Sequence, residues 1–174
     1  SFDAVICNPP YIRHHNLTAA DKRLAAFYSK LFETQVSSLS GSYVYFFLET
    51  IRRLREGGRL VFITPTEFLD ARYGRALKEV LLRHCRLEEI LVLDMTELAF
   101  EGVLTTSAIT IATKSREGTE TFRLTEARLA DTGVERRDVA ELCADRAPVE
   151  AAWTSLLPSR SEEIKRLTRG RTAK

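Results

Sequence analysis

The chain has 174 residues, of which 44% are hydrophobic and 29% are charged, and its formal net charge is +2. This composition is ordinary for a folded, water-soluble protein with one sizeable core. No stretch approaches the ~20 consecutive apolar residues that a membrane span needs, no signal region is visible at the start, and the charge is too small to indicate nucleic-acid binding by itself, so a cytoplasmic protein is expected.

The first predicted element is a strand in residues 2–7, FDAVIC, whose nearly continuous apolar character is typical of a parallel strand buried on both faces. Asn8, Pro9, Pro10 and Tyr11 follow it directly. Two prolines cannot continue a strand, because each fixes φ and lacks a backbone N–H. The strand is therefore expected to end in a rigid loop. The chain has no initial Met and opens within this strand, which indicates a segment of a larger protein.

Two helices are predicted next. Thr18 can cap a helix over residues 19–32. A second helix follows Ser42 and is expected to continue to the glycine pair at 57–58. The apolar stripe expected for the first helix consists of Leu24, Phe27, Tyr28 and Leu31.

The middle of the chain predicts a parallel sheet with crossover helices. Residues 59–65 and 87–95 are strand-like, and the helical pattern of residues 73–85 lies between them. Residues 105–114 follow a loop rather than a helix, so this strand is expected to join the sheet antiparallel, and residues 120–129 are expected to extend or cap that region. The fold class is therefore α/β with a mostly parallel sheet.

The pattern weakens after residue 130. Residues 136–143 and 161–169 are interpreted as short helices on either side of a proline-containing stretch, with no core of their own. We therefore divide the chain into a unit at 1–130 and a C-terminal extension or linker at 131–174.

The loop at residues 8–11 has a defined chemistry. Ligands bind beyond the carboxyl ends of strands in an open parallel sheet. The Asn8 side chain and the carbonyl oxygens of Asn8 and Pro9 are rigidly held hydrogen-bond acceptors there. A planar ligand with an NH2 group can donate one hydrogen bond to the Asn8 amide oxygen and one to the Pro9 carbonyl while its ring stacks on Tyr11. Stacking of a base on an aromatic ring contributes ~1–3 kcal/mol.

These four residues after a hydrophobic strand resemble the catalytic motif of S-adenosylmethionine-dependent amino-group methyltransferases. Three stretches together resemble the gamma-type DNA adenine-N6 methyltransferases of type IIG-like restriction-modification systems, over roughly residues 1 to 115. These stretches are NPPYIRHHN at 8–16, RRLREGGRLVFITPTEFLDARYGRALKEVLL at 52–82 and LAFEGVLTTSAITIATK at 98–114.

The resemblance implies a Rossmann-like methyltransferase fold and methyl transfer from S-adenosylmethionine to adenine N6 in double-stranded DNA. It implies that Asn8, Pro9, Pro10 and Tyr11 are catalytic, and that Tyr11 and Phe100 pack against the two faces of a flipped adenine. The neighbouring acids Asp94 and Glu97 are interpreted as surface or structural residues, because amino methylation needs no strong carboxylate base.

The family binds its methyl donor through a glycine-rich loop upstream of the motif strand, and no Gly-x-Gly occurs in this sequence. The resemblance therefore implies the catalytic half of a methyltransferase core that is cut on both sides: its N-terminal half is missing, and residues 131–174 are expected to lead toward a missing DNA-recognition domain. Its cofactor-binding residues are unknown, and we expect the chain alone to bind no cofactor and to be inactive. The strand at 2–7 should then be a sheet edge that either pairs with a second copy or is covered by the C-terminal residues.

No metal site is predicted. Cys7, Cys85 and Cys143 are far apart and are interpreted as small buried residues, with no disulfide or zinc spacing. The adjacent His14 and His15 offer poor shared geometry for a metal and are interpreted as solvated or DNA-facing.

Two alternatives remain open. Glutamine-N5 protein methyltransferases use the same tetrapeptide for a side-chain amide, but the loop after their motif tends to be acidic. Here it carries Arg13, His14 and His15, which suit a phosphate-bearing substrate. The second alternative is a non-catalytic DNA-binding module that keeps the fold. The intact motif argues against it.

Overall fold

A computed structural model of the protein describes residues 1–94, 106–130 and 133–160. The helices of this part are α1 (Ala19–Phe32), α2 (Ser42–Arg53), α3 (Glu67–Asp70) and α4 (Arg75–His84). The strands are β1 (Phe2–Cys7), β2 (Leu54–Pro65), β3 (Cys85–Asp94), β4 (Ser107–Lys114), β5 (Thr121–Ala130) and β6 (Gly133–Cys143). Short 3-10 turns occupy His14–Asn16, Arg72–Gly74, Ala144–Arg146 and Trp153–Leu156.

The six strands of the described part form one sheet in the order β1-β2-β4-β3-β5-β6. Strand β1 is parallel to β2, and β3 is parallel to β5. Strand β4 lies between β2 and β3 and is antiparallel to both, and β6 is antiparallel to β5. Strands β1, β2, β3 and β5 therefore share one direction, which confirms the predicted α/β fold with a mostly parallel sheet and an antiparallel hairpin strand.

The main core lies between one face of the sheet and the helices. Phe47 of α2 stacks on Phe62 of β2, with ring centroids 4.3 Å apart, and both are fully buried together with Phe68 of α3. Full burial of such a side chain contributes about 1.5–3 kcal/mol. The opposite face carries a smaller apolar cluster that includes Leu91 and Leu93. The helices therefore fix the ends of β1 and β2 from one side.

The segment after β6 closes the far end of this core. Trp153 is fully buried, and its ring lies 5.0 Å from that of Phe122 on β5. The buried Lys78 of α4 donates hydrogen bonds to the carbonyl oxygens of Leu69 (2.9 Å) and Ala151 (2.7 Å). Because buried carbonyl groups need donors, these bonds hold the segment on the helices. The division at residue 130 stays a prediction, and strand β6 continues the sheet beyond it.

The first strand forms as predicted but is not buried. Val5 and Cys7 of β1 are half-buried against the core, whereas Ile6 is 86% exposed. Among the described residues β1 pairs with β2 alone, so it is an edge strand with one covered face. The C-terminal residues 133–160 do not cover this edge, because they lie at the β6 end of the sheet.

Helix α1 has the predicted bounds but presents another face to the core. The helix is rotated from the predicted stripe because Tyr28 stacks on Tyr45 of α2, and Phe32 lies edge-on to His84 of α4. Its buried apolar residues are Ala25, Tyr28 and Phe32, whereas Leu24, Phe27 and Leu31 are exposed.

Two further predictions were wrong. Helix α2 ends at Arg53, and the glycine pair lies inside β2, where Gly57 has a positive φ of 75° and the pairing with β1 shifts register. Residues 136–143 form part of β6 rather than a helix, because their backbone pairs with β5 and Arg136 reaches the buried Glu89 of β3. The helix predicted at 161–169 lies outside the described residues.

Candidate active site

The candidate site lies where two parallel strands end together. Cys7 of β1 pairs with Phe62 of β2, so the loop that starts at Asn8 lies beside the segment at Pro65 that leaves β2. Both loops are at the carboxyl edge of the sheet, where open α/β sheets bind ligands. The structure therefore places the predicted motif at the edge expected from the sequence.

The motif residues form a compact loop. Pro9 is buried, whereas Asn8 and Pro10 are exposed. The Tyr11 hydroxyl lies 2.8 Å from Asn8 Oδ1 and 3.1 Å from the Ile63 carbonyl oxygen, and its one proton can be donated to either. Partial burial raises the pKa of the Tyr11 hydroxyl, so the group stays protonated at neutral pH and acts as a donor. The Asn8 side chain is thus oriented by Tyr11, and its oxygen keeps a second lone pair for a ligand.

A cavity of about 480 Å³ opens beside the Tyr11 ring. Its volume is within the range of small-molecule sites. The Tyr43 ring meets that of Tyr11 edge-on, with centroids 6.4 Å apart and planes at 82°. The cavity has aromatic and apolar walls and a few polar groups. It is lined by Tyr11, Ile12, Arg13, His14, Leu39, Gly41, Tyr43, Pro65, Glu67, Ala71 and Tyr73.

A short chain of hydroxyl groups lies along one wall of this cavity. The Tyr43 and Tyr73 hydroxyl oxygens are 3.1 Å apart, and the Tyr73 hydroxyl donates to Glu67 Oε2 at 3.4 Å. Burial is the main cause that raises the pKa of Tyr43, and its hydrogen bond to Tyr73 acts in the same direction. Both tyrosines therefore remain neutral hydroxyl donors, and Glu67 is the acceptor at the end of the chain.

The motif alone did not identify these wall residues. Tyr43, Glu67 and Tyr73 lie 32 or more positions beyond Tyr11, and only the fold brings them beside it. The sequence did contain one signal for the position of this wall. Pro65 ends a second parallel strand, and the carboxyl ends of parallel strands share one edge of the sheet.

The remaining predicted residues are placed as follows. His14 lines the cavity, and its ring lies edge-on to that of the exposed His15, with centroids 5.5 Å apart. Phe100 and Glu97 lie outside the described residues, so the second stacking ring stays a prediction. The backbone of Asp94 ends β3.

The three cysteines differ in burial. Cys85 is buried, Cys7 is half-buried and Cys143 is exposed, so the expected burial was wrong for Cys143, which lies at the end of the edge strand β6. Within the described ranges, no group of three His, Cys, Asp or Glu side chains could hold a metal ion. No helix of the described part is long and apolar enough to cross a membrane.

Comparison of the sequence with known families gives one match and several relatives. The model of a family described as Eco57I restriction-modification methylase matches residues 1–100. The type II methyltransferase M.AccI of Acinetobacter calcoaceticus is 32% identical over 108 residues, which are 62% of this chain and 20% of that protein. M.XamI of Xanthomonas campestris pv. amaranthicola, also a type II methyltransferase, is 38% identical over 106 residues, 61% of this chain and 20% of that protein. The chain thus spans about a fifth of the length of the curated relatives it matches.

Solved structures share the fold. The type IIG restriction endonuclease BpuSI superimposes with a TM-score of 0.65 at 18% identity, covering 87% of this chain and 20% of that one. A Listeria monocytogenes protein assigned to the class I S-adenosylmethionine-dependent methyltransferases gives a TM-score of 0.50 at 20% identity, covering 71% of this chain and 36% of that one. The predicted Rossmann-like architecture is therefore confirmed.

Proposed function

We propose, because the chain belongs to the Eco57I restriction-modification methylase family, that it is the catalytic part of an enzyme that methylates the N6 amino group of adenine in DNA. The methyl donor of this reaction is S-adenosylmethionine. The relatives are about five times longer than the matched segment, so the activity is proposed for the whole restriction-modification enzyme.

One observation carries the proposal. The acceptor oxygen of Asn8 and the buried Pro9 lie at the carboxyl edge of the sheet, with the Tyr11 ring held beside them by a hydrogen bond of 2.8 Å to Asn8. An amino group on a planar ring has two N–H donors, which match the Asn8 side-chain oxygen and the Pro9 carbonyl. The chain therefore offers two acceptors and one stacking surface to a base such as adenine.

This arrangement suits methyl transfer to a poor nucleophile. The lone pair of the adenine amino nitrogen is delocalised into the ring, and the nitrogen becomes positively charged as it gains a methyl group. Acceptors fixed on its two hydrogens interact more strongly with the charged nitrogen than with the neutral one. They therefore stabilise the transition state more than the bound substrate, which is the condition for catalysis.

The cavity beside Tyr11 can receive a base that has left the DNA duplex. Extrusion costs a few kcal/mol, and stacking on one aromatic ring returns ~1–3 kcal/mol. Tyr11 supplies one ring, and we propose Phe100 as the second.

The loop beyond the motif is proposed to contact DNA. Arg13 and His14 line the cavity mouth, and His15 is exposed next to them. Cationic and N–H donors at this position can contact the phosphates on either side of the extruded nucleotide, which positions the duplex without reading its sequence.

The described residues do not by themselves fit the methyl donor. The sequence has no Gly-x-Gly to form a glycine-rich loop, and no strand of the described part pairs with the outer edge of β1. We therefore assign the holding of S-adenosylmethionine to another part of the enzyme and assign to this chain the binding and orientation of the amino group.

Product analysis tests the proposal. The full-length enzyme is incubated with S-adenosylmethionine and DNA from a methylation-deficient host, and the DNA is digested and analysed by mass spectrometry. N6-methyldeoxyadenosine is the expected product. N4-methyldeoxycytidine would refute the adenine assignment, and unmodified DNA together with a methylated protein glutamine would support the glutamine-N5 alternative.

A further inference from the structure

A buried serine contacts the motif loop from the start of a neighbouring helix. Ser42 is the first residue of α2 and is only 6% exposed. We propose that Ser42 is a positioning residue for methyl transfer, which fixes the backbone on both sides of Tyr11. The inference rests on the proposed function, in which Tyr11 stacks on the base and orients Asn8.

Three hydrogen bonds join Ser42 to the loop. Its hydroxyl donates to the carbonyl oxygen of Pro10 and accepts from the N–H of Ile12 at 3.0 Å. Its own N–H donates to the carbonyl oxygen of Ile12 at 2.9 Å. Pro10 and Ile12 are the two neighbours of Tyr11, so one residue holds the chain immediately before and immediately after the aromatic side chain.

The hydroxyl does not serve its own helix. Serine at a helix start usually accepts a hydrogen bond from an N–H of the first turn, but here the position before α2 is Gly41, which has no side chain, and the Ser42 hydroxyl points to the motif loop. A Cβ on Gly41 would lie 3.2 Å from the carbonyl oxygen of Ile12. A glycine at this position lets α2 approach closely enough for the contact to form.

The contact extends to the reacting group through Tyr11. The ring is attached to the backbone that Ser42 holds, and its hydroxyl reaches Asn8 Oδ1 at 2.8 Å and the Ile63 carbonyl at 3.1 Å. A shift of the Tyr11 backbone would therefore move both the stacking surface and the donor that orients the Asn8 amide. Misplacement of a catalytic group by about 1 Å can cost 10²-fold in rate.

The structure also provides a matched control. Ser40 is a fully buried serine two residues before Ser42, and its hydroxyl has no hydrogen-bond partner within the described ranges. Ser40→Ala and Ser42→Ala remove the same atom from neighbouring buried positions, but only Ser42→Ala breaks the contact with the motif loop. Ser42→Thr keeps the hydroxyl and tests whether it restores the rate.

The test uses the full-length methyltransferase and measures single-turnover methylation of DNA, the Kd for DNA and S-adenosylmethionine, and the melting temperature. For Ser42→Ala we expect a rate about 10- to 100-fold lower, with both Kd values within about twofold of wild type. The rate of Ser42→Thr should lie above that of Ser42→Ala, and Ser40→Ala should match wild type. With 2-aminopurine at the target position, the emission of bound Ser42→Ala should shift toward that of Tyr11→Ala, because stacking on Tyr11 is lost.

The outcomes separate this inference from the proposed function. An active wild type with an equally fast Ser42→Ala variant overturns the positioning role alone. The same holds if the loss of rate is matched by Ser40→Ala, or if the 2-aminopurine emission stays at the wild-type value. A wild-type enzyme that transfers no methyl group to DNA overturns the proposed function, and the positioning role falls with it.

Discussion

The two edges of the sheet are built differently. At one edge, β1 exposes Phe2 and Ile6, whose side chains are 52% and 86% exposed. At the other edge, β6 carries four consecutive charged residues, Glu135, Arg136, Arg137 and Asp138, beside the partly exposed Val134 and Val139. Charged side chains on an edge strand oppose pairing with another chain, and an apolar edge permits it. The β6 edge is thus suited to water, whereas the β1 edge, next to the motif loop, is suited to being covered.

The regions behind these edges differ as well. Behind β6, Trp153 and the buried Glu89 lock the hairpin to the core. Behind β1, the motif loop is held by a few hydrogen bonds with Ser42 and by the bond that Tyr11 donates to the Ile63 carbonyl oxygen. Stability is therefore expected to be concentrated at the β6 end and chemistry at the β1 end. Substitutions at the two ends should separate the two properties.

The largest effect on stability is expected at the β6 end. Trp153→Ala removes a fully buried ring packed on Phe122, and loss of such a side chain costs about 3–5 kcal/mol. Ile6→Ala at the β1 edge should change the free energy of unfolding by less than about 0.5 kcal/mol. Urea unfolding of the 174-residue protein measures both values, and equal losses would contradict the comparison.

A smaller effect is expected at Glu89. Its carboxylate accepts from Arg136 Nε at 3.0 Å, Arg136 Nη2 at 2.9 Å and Thr125 Oγ1 at 2.7 Å. Glu89→Gln should lower the free energy of unfolding by about 1–2 kcal/mol at neutral pH. The loss should be smaller than that for breaking a fully buried ion pair, because Arg136 is half-exposed.

The same carboxylate predicts a dependence on pH. The Arg136 hydrogen bonds, followed by that of Thr125, lower the pKa of Glu89 below its ordinary value. Because the pKa is lower in the folded state, the carboxylate stabilises the folded protein at pH values above its ordinary pKa of about 4.3. This stabilisation is lost as the pH falls through the pKa of the folded state. The stability difference between wild type and Glu89→Gln should therefore shrink between pH 5 and pH 3, and a constant difference would refute the ion pair.

At the β1 edge the expected effect is on association rather than on stability. We predict that the 174-residue protein self-associates through β1 and that Ile6→Lys reduces this association, because a lysine on an edge strand opposes pairing. Val139→Lys on the exposed face of β6 is the control and should leave association unchanged. Light scattering across concentration measures both, and a wild type that is monomeric throughout would refute pairing at β1.

The smallest signal is expected from the methyl donor. Titration of the 174-residue protein with S-adenosylmethionine should release no measurable heat of binding, because the glycine-rich loop of the family does not occur in the sequence. Micromolar affinity in the calorimeter would show that the described residues hold the donor themselves.

Local patterns predicted the parts of the fold that local forces determine. The bounds of β1 and α1 and the antiparallel β4 followed from apolar spacing and from the short connection before residue 105. The rotation of α1 could not be predicted, because it depends on Tyr45 and His84, which are distant in sequence. Strand β6 was missed because a charged edge strand lacks the alternation that predicts a strand.

In the candidate site, too, neighbouring residues could be predicted from the sequence and distant ones could not. Asn8, Pro9, Pro10 and Tyr11 are contiguous, so their sequence alone indicated the acceptors and the stacking ring. Ser42 and the wall residues Tyr43, Glu67 and Tyr73 could not be found from the sequence, because each lies 30 or more positions from the loop and only the packing of the chain brings it there.

The proposal that Asn8 binds the reacting amino group is tested by the methylation rate of Asn8→Ala in the full-length enzyme. The control is Asn16→Ala, which changes an exposed asparagine at the end of the turn beyond the motif. Removal of one hydrogen-bonding group aimed at the developing charge costs about 10²–10³-fold in rate. For Asn8→Ala we expect a single-turnover rate at least 10²-fold lower, with the Kd for DNA within about twofold of wild type, and for Asn16→Ala we expect the wild-type rate. Methylation by Asn8→Ala at a rate comparable to wild type would show that Asn8 has no part in the reaction.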